Sequence, residues 1–179
     1  MRDGKIVQFV CFETTLNRED FIKRWSDYVR SANSDSDVTL QQSEKDGTFR
    51  YIAQHRCAVG NLHFIFTKAA RSSRIAQTEI RTKQAGGYTI LHAERMTDAH
   101  SYESKVFVFI QQAQTDLSVY KQLSPHSKLN IYEAYYENCQ YAYILEFFVK
   151  DKYLAELIEQ LKQNRAEIGI YKECVLEPA

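Results

Sequence analysis

Lys5-Ile-Val-Gln-Phe-Val10 and Lys105-Val-Phe-Val-Phe-Ile110 are two versions of one opening. Each is a lysine followed by a β-branched and aromatic run, the composition of a strand. A similar order follows each: a helical stretch, a hairpin, a second helical stretch and a last strand. An internal repeat of this size decides the architecture before any local detail does.

In the first half the spacing predicts a strand over 5–13. A helix follows, with Asn17 as N-cap, Glu19 and Asp20 in its first turn, and Leu16 and Phe21 placed for a hydrophobic staple. Phe21, Trp25, Tyr28, Val29 and Ala32 share one helical face. Residues 31–37 read as a polar loop. Strands at 38–43 and 48–57 flank Asp46-Gly47, a strong hairpin signal. Alternation over 62–67 points to a strand and 72–84 reads as a helix, with Glu79 and Lys83 as an i,i+4 pair and Gly86-Gly87 as its stop. Residues 88–94 close this half, and 95–103 connect to the next.

The second half has a strand at 105–112, a short helix at 115–123 capped by Thr115 and closed by Pro125, and a hairpin of 129–136 with 141–149. A helix over 151–164 carries Leu154, Leu157, Ile158 and Leu161 on one face, and 168–176 is the last strand. The order β-α-β-β-α-β thus occurs twice, which is the ferredoxin-like order. Several strands are apolar on both faces: Val106, Val108 and Ile110 oppose Phe107 and Phe109, and Tyr143, Leu145 and Phe147 oppose Ile144 and Phe148. A sheet with one wet face alternates apolar with polar. Here the second face also needs cover, and the other half's sheet supplies it. The expected fold is therefore α+β, two tandem ferredoxin-like modules (residues 1–96 and 97–179) packed sheet to sheet as a pseudo-dimeric barrel with helices outside.

The first strand, the helix segment Glu19-Asp-Phe-Ile-Lys-Arg-Trp25 and the strand Phe49-Arg-Tyr-Ile-Ala-Gln-His55 resemble the dimeric α+β barrel superfamily, and within it the antibiotic-biosynthesis-monooxygenase-like domains. The resemblance covers most of 5–57 and, more loosely, the topology of 105–175. It implies a pocket between sheet and helices in each module, which relatives use for oxygen-dependent chemistry on aromatic substrates or for haem breakdown. It specifies no cofactor for this chain.

Composition narrows the partners. Of 179 residues, 23 are Lys or Arg and 23 Asp or Glu, so the net charge is zero and the basic field of a nucleic-acid or anionic-membrane binder is missing. No run approaches the roughly 18–20 apolar residues of a membrane span. Cys11, Cys57, Cys139 and Cys174 show no C-x-x-C spacing, which predicts reduced, packed thiols in a cytoplasmic protein. No phosphate-binding glycine loop, nucleophile elbow or metal-binding histidine spacing occurs. The expected partner is an aromatic small molecule, with a further homodimer left open.

Candidate site residues come from strand and helix faces. His55 shares a face with Tyr51, Ala53 and Cys57 and is the candidate base, since imidazole titrates near working pH; the plainer alternative is a half-buried structural histidine. Trp25, Tyr28 and Tyr51 are candidates for holding an aromatic ligand, or are simply core. His92 lies on the closing strand and is read as His55 is, a candidate site residue or a half-buried structural histidine. A turn centred on Asn138-Cys139 would set Glu133 and Glu146 diagonally on one face, where two carboxylates perturb each other's titration; a polar strip in a gap between sheets is the alternative. Tyr132, Tyr135, Tyr136, Tyr141 and Tyr143 point to a packed interface or a flat ligand. The enzymatic reading needs an open pocket, and the non-enzymatic reading predicts one filled with Phe and Tyr.

Overall fold

A computed structural model of the chain describes residues 5–31, 37–45, 49–58, 80–96, 102–123, 125–137, 139–164 and 167–174. The elements, in order, are β1 (Lys5–Thr14), α1 (Arg18–Ser31), β2 (Asp37–Lys45), β3 (Tyr51–Ala58), β4 (Ile80–Ala93), β5 (Ser104–Ile110), α2 (Ser118–Lys121), β6 (Ser127–Ala134), β7 (Tyr143–Val149), α3 (Asp151–Lys162) and β8 (Glu167–Cys174). The strands form a closed barrel in the order β1-β3-β2-β8-β5-β7-β6-β4. All pairs are antiparallel. Within each half the four strands lie in the order fourth, first, third, second. The seams β2–β8 and β4–β6 join the halves, so no described strand is left as an open edge.

Alternation sorts the side chains. Val7, Phe9 and Cys11 point inward and meet Phe107, Phe109, Tyr132, Ile144 and Tyr171 from the other half. Val10 and Phe12 point outward and are covered by Phe21, Ile22 and Trp25 of α1. Val106, Val108 and Ile110 face out beneath Leu157 and Leu161 of α3 and Tyr120 of α2. The two-faced apolar strands are therefore covered on both sides, as the sequence requires. Inside, the ring of Phe9 meets Tyr88, Tyr132 and Phe107 edge-on at centroid distances of 5.4, 4.9 and 6.3 Å, a geometry that favours aromatic pairs. The Tyr171 hydroxyl donates to the Phe49 carbonyl at 2.8 Å and accepts from the Phe49 amide at 3.2 Å.

Local signals explain the element starts. The Asn17 side chain accepts from the Asp20 amide at 2.9 Å, satisfying one of the first turn's free donors. Leu16 packs against the cluster that holds Phe21. The β2–β3 ladder pairs Gln42 with Tyr51, the register that a turn centred on Asp46-Gly47 demands. The turn residues 46–48 lie outside the described residues.

Four expectations need correction or lie outside the description. Residues 80–84, expected to be helical, belong to β4, and Gly86-Gly87 sits inside that strand instead of ending a helix. The reason is tertiary: β4 pairs with β1 from Val7↔Tyr88 to Thr14↔Ile80, and ladder pairing overrides weak local propensity. The expected strand at 62–67 and the helical residues 72–79 fall outside the described residues. α2 is only Ser118–Lys121; Asp116 accepts from the Ser118 amide at 2.9 Å, while the Thr115 hydroxyl donates back to the Gln112 carbonyl. The β6–β7 register is Glu133↔Tyr143 and Asn130↔Glu146, one residue away from that expected. A two-residue turn was the wrong premise: Ala134 bonds the Ala142 carbonyl, and Tyr135 bonds the Gly87 carbonyl, so neighbouring β4 fixes the long connection. A slip of one residue reverses which face each side chain takes.

Gly86 has a specific job. A Cβ there would come within 2.8 Å of the Tyr88 ring and 3.2 Å of the Cys139 sulfur. Tyr88 is fully buried and lies back over the glycine, its hydroxyl accepting from Gln84 at 3.2 Å. Gly86→Ala should lower stability by about 1–3 kcal/mol through overpacking. In a Tyr88→Ala background the added penalty should largely vanish, as a double-mutant cycle of urea midpoints would show.

Candidate functional site

The expected site residues separate into three places. His55, Trp25 and Tyr51 come together in the layer between the sheet and α1. Tyr51 stacks on Phe21 at 4.0 Å, Trp25 meets Phe12 at 5.0 Å, and the His55 ring stands edge-on to Trp25 at 5.8 Å. His55 is 3% exposed. The side chain of Tyr28 lies outside the described residues. His92 pairs with Ile131 and Glu133 with Thr89. Ile131 belongs to the cluster under the second half's helices, so both His92 and Glu133 take the outer face. Glu146 points inward. The register correction thus separates the two carboxylates onto opposite faces.

Glu146 is instead the centre of a polar cluster within one end of the barrel. It is 1% exposed. Asn130 is its direct ladder partner, and Tyr132 is the next inward residue on β6. The Tyr132 hydroxyl donates to Glu146 Oε2 at 2.7 Å and the Asn130 amide approaches the same oxygen at 3.5 Å. On the other side Phe107↔Glu146 and Lys105↔Tyr171 place Lys105 diagonal to both Glu146 and Glu173. Its Nζ is 3.3 Å from Glu146 Oε1 and 3.5 Å from Glu173 Oε2, and it lies 5.1 Å from the centre of the Phe148 ring. A carboxylate out of water needs this much compensation. Burial, then the Glu146 charge and hydrogen bond, hold the Tyr132 hydroxyl well above its ordinary titration range, so it remains a donor.

Glu146, Asn130, Lys105, Glu173 and Phe148 line a cavity of about 440 Å³, with Thr39, Gln54, Arg56 and Glu94 on its polar walls and Ile90, Met96 and Tyr102 at its side. A second cavity of about 500 Å³ lies at the other end of β5, beside Tyr120, Asn164 and Glu167. Sequence reasoning found Glu146 and Tyr132 but missed Lys105, Arg56 and Asn130. The signal for Lys105 was present: it heads the repeated run with the inward parity of Phe107 and Phe109, a charge where the pattern calls for an apolar residue. Among the described residues no cluster of His, Cys, Asp and Glu is placed to hold a metal ion, and no helix is long and apolar enough to cross a membrane.

No family model matches the chain, and no curated protein matches it. Solved structures share its fold. A chlorite dismutase from Candidatus Nitrospira defluvii is 10% identical with a TM-score of 0.61, covering 98% of this chain and 93% of that one. A haem-binding protein from Thermus thermophilus is 12% identical with a TM-score of 0.60, covering 96% and 92%. At these identities the likeness establishes the α+β barrel fold.

The His55 layer and the mouth each yield an expected outcome. Burial pushes the His55 imidazole from its ordinary 6.5 down to about 4. The unfolded chain takes up this proton near pH 6.5, whereas the folded one resists until about 4. The neutral ring's contribution is thus intact above pH 6.5 and lost as pH falls toward 4, a loss on the order of 3 kcal/mol. Urea midpoints between pH 7 and 4.5 should fall less steeply in His55→Gln than in the parent. In the mouth, Lys105→Met strips Glu146 of its cation and should lower stability by about 3 kcal/mol. Adding Glu146→Leu should restore most of it.

Proposed function

We propose that this chain is a small-molecule-binding α+β barrel protein whose ligand enters the barrel mouth around Glu146. One observation carries the reading. A carboxylate that is 1% exposed, together with Lys105 and Asn130 beside it, forms the wall of a cavity of about 440 Å³, within the size range of ligand pockets and with polar groups converging inside an otherwise apolar barrel. The repeated strand order supports reading residues 1–96 and 97–179 as two ferredoxin-like modules. Four free cysteines agree with a cytoplasmic, reducing setting.

A second reading makes the protein a monooxygenase-like enzyme acting on an aromatic substrate, with His55 as base. Its support is the neutral imidazole beside Trp25. Against it, the rings of Phe21, Trp25 and Tyr51 fill that layer, which is what the non-enzymatic alternative requires. Haem, named for the Thermus structure, does not suit the mouth. Its two propionates call for two cations, but the mouth presents three carboxylates, Glu94, Glu146 and Glu173, and of its two cations, Arg56 and Lys105, Lys105 is already bound by Glu146 and Glu173. Among the described residues no histidine or cysteine lines it, although these are the common axial ligands.

The test is a thermal-shift screen of the full chain against small aromatic acids, amines, quinones and flavins, followed by amide chemical-shift mapping of each hit. A ligand at 100 times its Kd adds about 2.7 kcal/mol, a rise of about 5–11 °C at roughly 2–4 °C per kcal/mol. Perturbations centred on Lys105, Asn130 and Glu146 are expected. Perturbations centred on Trp25 and His55, abolished in Trp25→Ala, would replace the mouth with the sheet–helix layer.

A further inference from the structure

We infer that the ligand of the mouth is a small monocarboxylate with an apolar body, its carboxylate docked on the guanidinium of Arg56. The inference rests on the mouth being the binding site. The charged groups of the cavity are not equally occupied. Glu146 takes Tyr132, Asn130 and Lys105; Glu173 takes Lys105; Glu94 accepts from the Leu129 amide at 2.8 Å. Among the described residues the Arg56 side chain has no hydrogen bond and no ion pair, although three carboxylates line the same cavity.

Strand order explains why it remains apart. Arg56 is on β3, four strands round the ring of eight from β7, and so faces Glu146 across the opening. Its positive field is felt at the Tyr132 hydroxyl. Two residues along β3, Gln54 is buried. Its side-chain oxygen accepts from the Thr39 hydroxyl at 3.1 Å, which leaves the amide nitrogen as a second donor on the wall of Arg56.

A cationic ligand would compete with Lys105 or the Leu129 amide for a carboxylate. An anion displaces nothing, and the planar fork of a guanidinium matches a carboxylate with two parallel hydrogen bonds. The three glutamates oppose any multiply charged anion, which selects one negative charge. The rest of the ligand meets Ile90, which is exposed although it pairs with inward-facing Tyr132, and Met96 and Phe148 beside it.

Titrating the intact protein with benzoate, hexanoate, benzyl alcohol, benzylamine and inorganic phosphate, by calorimetry and amide shift mapping, tests this. Benzoate and hexanoate should perturb Arg56, Asn130 and Glu146 and bind at least about tenfold more tightly than benzyl alcohol, the effect of one charge-assisted pair. Arg56→Met should erase that preference, and Arg56→Lys should restore part of it. Arg56 is exposed, so an unchanged melting temperature is expected for both variants. Benzylamine or phosphate binding at the mouth in preference to benzoate would overturn the carboxylate inference and leave the mouth as the site. Benzoate binding equally to Arg56→Met would also overturn it. No probe perturbing the mouth would remove both readings.

Discussion

The Phe9 ring, edge-on to Tyr88 of its own half and to Tyr132 and Phe107 of the other, is the contact on which the structure depends. Each half alone would present an apolar sheet face to water, with no second layer of its own to cover it. Joining the faces solves the burial problem, and joining the edges through β2–β8 and β4–β6 solves the hydrogen-bonding problem of the outer strands. The aromatic interior and the closed ladder are one solution, because rings of this size fill a small barrel only if its circumference is fixed.

That packing also determines where a polar site can exist. Toward the middle the interior is filled by Phe9, Phe107, Tyr132 and Tyr171. Near one end the inward positions become Lys105, Asn130, Glu146 and Glu173, and there the rings give way to a cavity. Tyr132 belongs to both regions: its ring packs against Phe9 and its hydroxyl binds Glu146. The charged cluster is consequently braced by the core, which gives a binding wall little freedom to relax.

The pattern of residues disclosed those features that depend on a strand's own alternation. Val106, Phe107, Val108 and Phe109 announced a sheet covered on both sides, and Asn17 and Asp46-Gly47 marked a helix start and a hairpin. Features that depend on a neighbouring strand were hidden. Gly86-Gly87 look like a helix stop until Tyr88 is seen lying over Gly86. The β6–β7 register depends on Tyr135 bonding β4, which no local spacing encodes. Glu146 was visible as an acid on an apolar strand, but its partners Lys105 and Asn130 come from β5 and β6, and their convergence depends on that same register.

The Tyr171 hydroxyl grips both backbone groups of Phe49 across 122 residues of sequence, at the seam where β8 seals β2. During synthesis β2 therefore emerges long before its partner. Until β8 arrives, one edge of the nascent sheet carries unpaired amides and carbonyls beside exposed aromatic rings. Such long-range pairing is slow because loop closure precedes its reward, and the waiting edge is a template for joining another chain. The seam that gives the finished barrel its lack of edges thus makes the unfinished chain a candidate for chaperone protection on the ribosome.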